Sequence, residues 1–179
     1  LRANFGDHEL GKLRLLGTRG GLRLRSWQRC REELRLEPFW RLELGNYVLL
    51  NCVSTLVALP LFETDLLPAE KPAWEALRAQ HLAEIRAAFT ALRPEQRVLF
   101  FCHDPTALPY LWRDDRVREK LPQIERTIIG HLHSPFYLRL SKLLCGMPVM
   151  HRFGHSVHRM SAALSEARFW RDFREIGRA

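Results

Sequence analysis

The sequence predicts an α/β fold, and two apolar runs joined by a helical stretch are the main evidence. Residues 98–102 form an unbroken apolar run, which is typical of a central strand covered on both faces. Residues 127–129 form a second short strand, and a helical stretch at residues 115–121 lies between the two. This order predicts a crossover between parallel strands, whose carboxyl ends then share one edge of a sheet.

A β-hairpin is predicted upstream of these strands. Trp40, Leu42 and Leu44 alternate with charged residues, Gly45 and Asn46 follow, and residues 47–53 form a further strand-like run. A two-residue turn that begins with glycine is typical of a tight hairpin.

A long amphipathic helix is predicted between the hairpin and the first buried strand. Its apolar residues recur at helical spacing after a proline-containing connecting loop: Trp74, Leu77, His81, Ile85, Phe89 and Leu92. Arg93 and Pro94 end the pattern. Because His81 lies on the apolar face, we expect it to be a packed core histidine rather than a ligand.

The carboxyl-terminal part of the sequence carries weaker patterns. Residues 136–144 are predicted to be helical, Gly146 and Pro148 interrupt the pattern, and residues 157–170 form another predicted helix. His151, His155 and His158 have a spacing that one helix face could use to bind a metal, but polar histidines on a basic surface explain it better.

The composition is that of one globular domain, which we expect to span residues 1–179. The chain has 46% hydrophobic and 27% charged residues, which excludes disordered and fibrous proteins. No apolar run approaches the roughly 20 residues that a membrane span needs. The four cysteines are widely spaced and are predicted to be reduced core residues, which favours a cytoplasmic location. The chain begins at Leu1 rather than Met, so an upstream signal peptide stays an alternative to this expectation.

The chain is basic, with a formal net charge of +8, and the excess is concentrated near its start. Seven Lys and Arg residues fall between Lys12 and Arg31, with no acidic residue among them. Such a segment is either a solvated loop or a surface that attracts phosphate groups, because arginine side chains suit both roles.

Three histidines follow the two buried strands and form the candidate site. His103 comes directly after the first strand, and Gly130 precedes His131 and His133 after the second. Histidines at positions i and i+2 of an extended segment point to the same side, and imidazole is the commonest metal-binding side chain. Because the strands are predicted to be parallel, these imidazoles should meet at one edge, where open α/β sheets bind ligands.

These motifs resemble those of the calcineurin-like metallophosphoesterases. That family carries, in order, DxH, GDxxD, GNH followed by Asp or Glu, a lone histidine after a hydrophobic strand, and GHxH. In this sequence residues 6–9 read GDHE, His103 stands where the lone histidine is expected, and residues 130–133 read GHLH. The resemblance covers residues 6–133, and the GHLH motif is its most specific part.

The resemblance implies an α/β/β/α sandwich of the metallo-dependent phosphatase type with two divalent metal ions. Asp7, His103 and His131 would bind one cation, and His133 would bind the other. His8 would be the catalytic residue that protonates or stabilises the leaving oxygen. In the implied reaction two cations about 3.5–4 Å apart hold the phosphate and lower the pKa of a water that attacks phosphorus. Histidine and carboxylate ligands suit Mn, Fe, Zn or Co.

The sequence departs from the family pattern in two ways. Asp7 replaces the usual asparagine, which keeps an oxygen ligand but adds a negative charge. The DxH and GDxxD motifs are absent, and with them most ligands of the first cation. Since both normally precede GNH[DE], we interpret the sequence as an amino-terminally truncated metallophosphoesterase domain rather than a degenerate homologue.

The sequence therefore predicts hydrolysis of a phosphoric mono- or diester by a bimetallic site, of which this chain carries the carboxyl-terminal half. The fragment alone is expected to be inactive. Two alternatives stay open: a basic nucleic-acid-binding module that uses residues 12–31, and a catalytically inactive scaffold of the same fold. A nucleotide or nucleic acid is also a possible substrate, because specificity in such folds resides in loops around a shared site.

Overall fold

The computed structural model describes residues 7–11, 21–130, 143–150 and 155–177. Its α-helices are α1 (Asp7–Leu10), α2 (Leu24–Glu32), α3 (Ser54–Val57), α4 (Lys71–Thr90), α5 (Leu108–Trp112), α6 (Asp115–Arg118) and α7 (His155–Ser165). Its strands are β1 (Arg41–Leu44), β2 (Tyr47–Cys52), β3 (Arg97–Cys102), β4 (Ile124–Ile129) and β5 (Glu175–Gly177). Short 3₁₀ helices cover Leu59–Asp65, Pro68–Glu70, Pro105–Ala107, Leu121–Gln123 and Ala167–Phe173.

The strands form one mixed sheet in the order β1-β2-β3-β4-β5. The β1 and β2 strands are antiparallel, whereas β2, β3, β4 and β5 run parallel to one another. The prediction of an α/β fold in which the strands at residues 98–102 and 127–129 are parallel is therefore confirmed.

The predicted hairpin is also confirmed. The β1 and β2 strands pair with Leu44 opposite Tyr47, which leaves Gly45 and Asn46 as the two-residue turn. Gly45 has a φ of 60°, a left-handed conformation that glycine adopts without the clash a Cβ would cause. The buried Asn51 side chain accepts a hydrogen bond from the Trp40 backbone N–H at 2.7 Å, which fixes the entry into the hairpin.

The α4 helix matches the predicted amphipathic helix and covers the sheet. It has proline in its first turn, and its buried residues are Trp74, His81, Ile85, Ala88 and Phe89. Phe89 contacts Phe100 of β3 edge to face, with ring centroids 6.0 Å apart. His81 is only 2% exposed, so the prediction of a packed core histidine is confirmed.

Two apolar clusters hold the described residues together. The larger lies around the sheet and α4, and Phe100 at its centre also contacts Phe173 from the carboxyl-terminal segment. The smaller lies beyond the carboxyl end of β2, and its fully buried members include Leu10, Val53, Leu56 and Trp74. Burial of this apolar surface is the main force that stabilises such a fold.

Several sequence expectations about individual elements were wrong or incomplete. Part of the arginine-rich segment forms α2, so a solvated loop is wrong for residues 24–31, whereas residues 12–20 lie outside the described part. The predicted helix at 157–170 is α7 followed by a 3₁₀ helix, because Glu166 leaves the helical conformation between them. The predicted helix at 136–144 lies almost wholly outside the described residues.

Two further differences concern the sheet. The β4 strand begins three residues earlier than the predicted strand at 127, since its pairing with β3 extends to Ile124. The β5 strand was not predicted, because three residues near the end of the chain carry too short a pattern and pair only with β4.

None of the described helices is long and apolar enough to span a membrane. The cysteines Cys30, Cys52 and Cys102 are unpaired and buried, as predicted, but Cys145 is unpaired and only partly buried.

Candidate functional site

The carboxyl ends of β2, β3 and β4 are in register at one edge of the sheet. In the strand register Cys52 lies opposite Cys102, and Cys102 lies opposite Ile129. The Gly130 N–H then donates a hydrogen bond to the Cys102 carbonyl at 3.3 Å, so the pairing extends one residue past β4. His103 and Gly130 are consequently the first residues beyond two neighbouring strands.

The His103 imidazole lies against the Gly130 backbone. A Cβ placed on Gly130 would be 3.1 Å from His103 Nδ1 and 3.8 Å from His103 Cα. The distance to Nδ1 is shorter than an ordinary Cβ contact. Because glycine has no Cβ, the half-buried imidazole can occupy this space. The glycine that precedes the HxH pattern thus contributes to the position of the other candidate histidine.

The chain after His103 is fixed by local hydrogen bonds. The Asp104 carboxylate accepts a hydrogen bond from the Thr106 N–H at 2.8 Å and caps the short helix Pro105–Ala107. The Asp104 N–H donates to the Ser54 hydroxyl of α3 at 3.2 Å. These bonds connect the residue that follows His103 to the end of β2, and they limit the positions that His103 can take.

The α1 segment, which contains Asp7 and His8, packs beside α2. The Leu10 carbonyl accepts a hydrogen bond from the Arg23 N–H at 3.1 Å, and Gly11 forms a bridge with Leu22. Leu10 is fully buried in the smaller apolar cluster, which also contains Val53, the first residue after β2. The backbone of α1 is therefore held at the end of the fold toward which β2 runs.

The described side chains include one of the five predicted site residues, His103. His131 and His133 lie outside the described residues, and for Asp7 and His8 only the helical backbone is described. Among the side chains that the structure describes, no three His, Cys, Asp or Glu residues gather into a metal-binding group. The parallel strands bring His103 next to the residue that precedes His131, and this is the part of the predicted site that the described residues contain.

Sequence reasoning did not find Ser54, which holds the residue after His103 in place. Ser54 is buried, and it lies 50 residues before the Asp104 N–H from which it accepts a hydrogen bond. Cys102 lies in the core beneath the site, where burial raises the pKa of its thiol well above the ordinary value. No local sequence signal marks Ser54, because only the parallel pairing of β2 with β3 brings it to this edge.

The exposed surface of α2 carries the basic residues that the sequence analysis singled out. Arg25, Arg29 and Arg31 are exposed, whereas Trp27 and Cys30 face the core. Arg29 forms an ion pair with Glu33 at 3.2 Å, and the Arg31 guanidinium donates to the Leu36 carbonyl at 3.3 Å. Part of this positive charge is thus engaged within the protein.

Comparison of the chain with protein-family models, with curated proteins and with solved structures finds no significant match.

Proposed function

We propose that the chain carries the carboxyl-terminal half-site of a metal-dependent phosphoric ester hydrolase. One observation carries the proposal: β3 and β4 are parallel neighbours, and His103 beyond β3 lies against Gly130 beyond β4. Since Gly130 is followed directly by His131, the two candidate ligands come just after adjacent strands, at one edge of the sheet. Open α/β sheets bind their ligands at this edge.

In this proposal four residues bind the metal ions and a fifth donates a proton. Asp7, His103 and His131 hold one divalent cation, and His133 holds a second. The cations supply charge neutralisation on the phosphate and an acidified water nucleophile. His8 is the proton donor to the leaving oxygen, a role that suits an imidazole because its ordinary pKa lies near neutral pH.

The position of α1 supports the inclusion of Asp7 and His8. Asp7 and His103 are far apart in the sequence, and no local pattern requires them to meet. The burial of Leu10 in the cluster that contains Val53 nevertheless brings the α1 backbone to the end of β2, the strand next to β3. An α1 segment packed against the opposite end of the sheet would have argued against the proposal.

A metal-binding experiment on the 179-residue chain tests the proposal. We expect saturable Mn²⁺ or Co²⁺ binding by isothermal titration calorimetry. Loss of a residue that only supports a metal ligand typically weakens metal affinity roughly 10- to 100-fold. His103→Ala and His131→Ala each remove a proposed ligand, so each should weaken the affinity at least that much. His158→Ala is the matched control, because His158 lies on α7 outside the proposed ligand set and its loss should leave the affinity unchanged.

Two outcomes would contradict the proposal. One is the absence of saturable divalent-metal binding, and the other is an equal loss of affinity in the His131 and His158 variants. We also expect the 179-residue chain to hydrolyse p-nitrophenyl phosphate and its bis-ester poorly, since its sequence contains neither DxH nor GDxxD. Fast Mn²⁺-dependent turnover would show that the half-site interpretation is wrong.

The exposed arginines of α2 favour a second candidate, a nucleic-acid-binding module. Arg25 is exposed on the same helix as Arg29 and Arg31, and the chain is strongly basic overall. Binding through phosphate contacts predicts an affinity for DNA or RNA that falls steeply as salt rises. Salt-dependent nucleic-acid binding, together with no metal binding that depends on His103 and His131, would favour this module over the hydrolase.

A further inference from the structure

A cavity of about 220 Å³ is lined by residues of α2, the loop before β1, α3 and α4. Its apolar lining comes from Trp27, Pro38, Phe39, Leu56 and Leu77. Polar side chains complete the lining, namely Arg31, Glu37, Gln80, His81 and Glu84. A dry cavity of about 150 Å³ already accommodates benzene, so this one has room for a single ring with a small substituent.

The His81 imidazole is held in one orientation at this cavity. Its Nε2 accepts a hydrogen bond from the Val53 backbone N–H at 2.9 Å. The Phe39 ring contacts it edge to face, with centroids 6.1 Å apart. Because Nε2 uses its lone pair for the Val53 bond, the neutral ring carries its proton on Nδ1.

The Nδ1 atom of His81 is buried and makes no hydrogen bond to the described residues. The nearest carboxylate oxygen, Oε2 of Glu84, is 3.7 Å away, which is too long for a hydrogen bond. The other oxygen of Glu84 accepts from the Gln80 amide at 3.1 Å. A buried imidazole N–H without an acceptor is costly, and a hydroxyl group could pair with both atoms if Glu84 moved outward.

We propose that this cavity binds a small phenol, whose hydroxyl bridges His81 Nδ1 and Glu84 Oε2 while its ring packs between Trp27, Phe39 and Leu77. A hydroxyl oxygen can accept from Nδ1–H and donate its own proton to a carboxylate at the same time. A carboxylate or an ammonium ligand can make only one of these two bonds without a change of protonation state.

A small shift of Glu84 would give the two polar atoms the separation that this occupant requires. Two hydrogen bonds of about 2.8 Å at a tetrahedral oxygen require a separation of about 4.6 Å, so Glu84 must move outward by roughly 1 Å. Its side chain is 36% exposed and has room to do so. The nearby His81 imidazole holds the pKa of Glu84 below its ordinary value, so near neutral pH this side chain is an acceptor.

The experiment measures phenol binding to the whole 179-residue chain by calorimetry and by intermolecular NOEs to Trp27 and Phe39. Toluene and benzoate are the comparison probes. We expect saturable phenol binding, with toluene at least tenfold weaker because it leaves both polar atoms unpaired. Benzoate should also bind at least tenfold more weakly, because Glu84 repels it.

Three variants locate the site. Glu84→Ala should weaken phenol about tenfold and leave toluene unchanged, since it removes only the hydroxyl's acceptor. Leu77→Trp should abolish binding of both by filling the cavity. Glu75→Ala is the matched control, an exposed residue of the same helix outside the lining, and it should change neither affinity.

The proposal does not rest on the proposed phosphoesterase site, since these measurements require neither metal nor turnover. Absence of saturable phenol binding would overturn it and would leave an ordered water as the bridge between His81 and Glu84. Equal affinity for phenol and toluene, tighter binding of benzoate than of phenol, or an unchanged phenol affinity in Glu84→Ala would overturn it as well.

Discussion

Gly130 and His103 are in such close contact that a Cβ on Gly130 would lie 3.1 Å from His103 Nδ1. The contact follows from the parallel register of β3 with β4, which makes the two residues neighbours directly beyond Cys102 and Ile129. A substitution at Gly130 should therefore change the position of His103, which we propose as a metal ligand.

Gly130→Ala should weaken metal binding without unfolding the protein. The added methyl group would lie 3.1 Å from His103 Nδ1 and 3.8 Å from both Cε1 and Cα of His103, so the imidazole must move by a few tenths of an ångström. Misorientation of a ligand typically costs about tenfold or more in metal affinity. We expect a loss of this size for Mn²⁺ by calorimetry, with a shifted His103 ring signal by NMR in the metal-free protein.

Gly45→Ala is the control for this prediction. Gly45 has a φ of 60°, and no atom lies within 4 Å of the position that a Cβ would take, so alanine there costs only backbone strain of about 1 kcal/mol. Its unfolding midpoint should fall while its Mn²⁺ affinity stays unchanged. A metal affinity that falls equally in both glycine variants would mean that general destabilisation, and not the His103 contact, causes the loss.

Asn51→Ala should destabilise the protein by about 2 kcal/mol, because it leaves a buried N–H without an acceptor. The Asn51 side chain accepts from the Trp40 N–H and donates to the Pro38 carbonyl. Urea unfolding followed by circular dichroism measures the change. The exposed Asn46 in the hairpin turn offers the control, and Asn46→Ala should stay within about 0.5 kcal/mol of the unmodified protein.

The elements that the sequence predicts well are those with long or distinctive patterns. The α4 helix repeats its apolar residues over several turns, and the hairpin combines alternation with a Gly-Asn turn. In both cases the local pattern alone is enough to predict the element.

Other features depend on contacts that no local pattern encodes. The α2 helix is rich in arginine, and only its two buried residues, Trp27 and Cys30, indicate that it packs on a core. The support of His103 by Ser54 and Gly130 needs three separate segments to meet. The sequence could predict His103 at a strand end, but it could not predict which residues fix that side chain in place.

The cysteines should differ in reactivity, with Cys145 modified first by a thiol reagent under native conditions. Cys145 is partly exposed, whereas Cys52 and Cys102 are fully buried. Burial also raises the pKa of the Cys30 thiol, which lowers the fraction of reactive thiolate at that position. Reaction with DTNB should give one fast phase, with the remaining thiols appearing only in denaturant.

Cys145→Ser is the variant that assigns the fast phase, which should disappear completely. Cys30→Ser should leave it intact. A fast phase that persists in Cys145→Ser would show that a cysteine described as buried becomes accessible through opening of the fold.

Burial alone would lower the pKa of His81, but its contacts with Cys52 and Glu84 raise that pKa above the ordinary value. At a pH of about 9, well above the ordinary imidazole pKa, His81 should be the neutral tautomer with its proton on Nδ1. The Val53 N–H points at Nε2 with a 2.9 Å donor–acceptor distance, so that nitrogen must keep its lone pair. Long-range ¹H–¹⁵N correlation spectra of the ring distinguish a bare nitrogen from a protonated one. Backbone amide exchange at Val53 should also be slow, because its N–H is buried and bonded. A protonated Nε2 at this pH would contradict the hydrogen bond that orients His81, and with it the donor that we assign to the cavity beside α4.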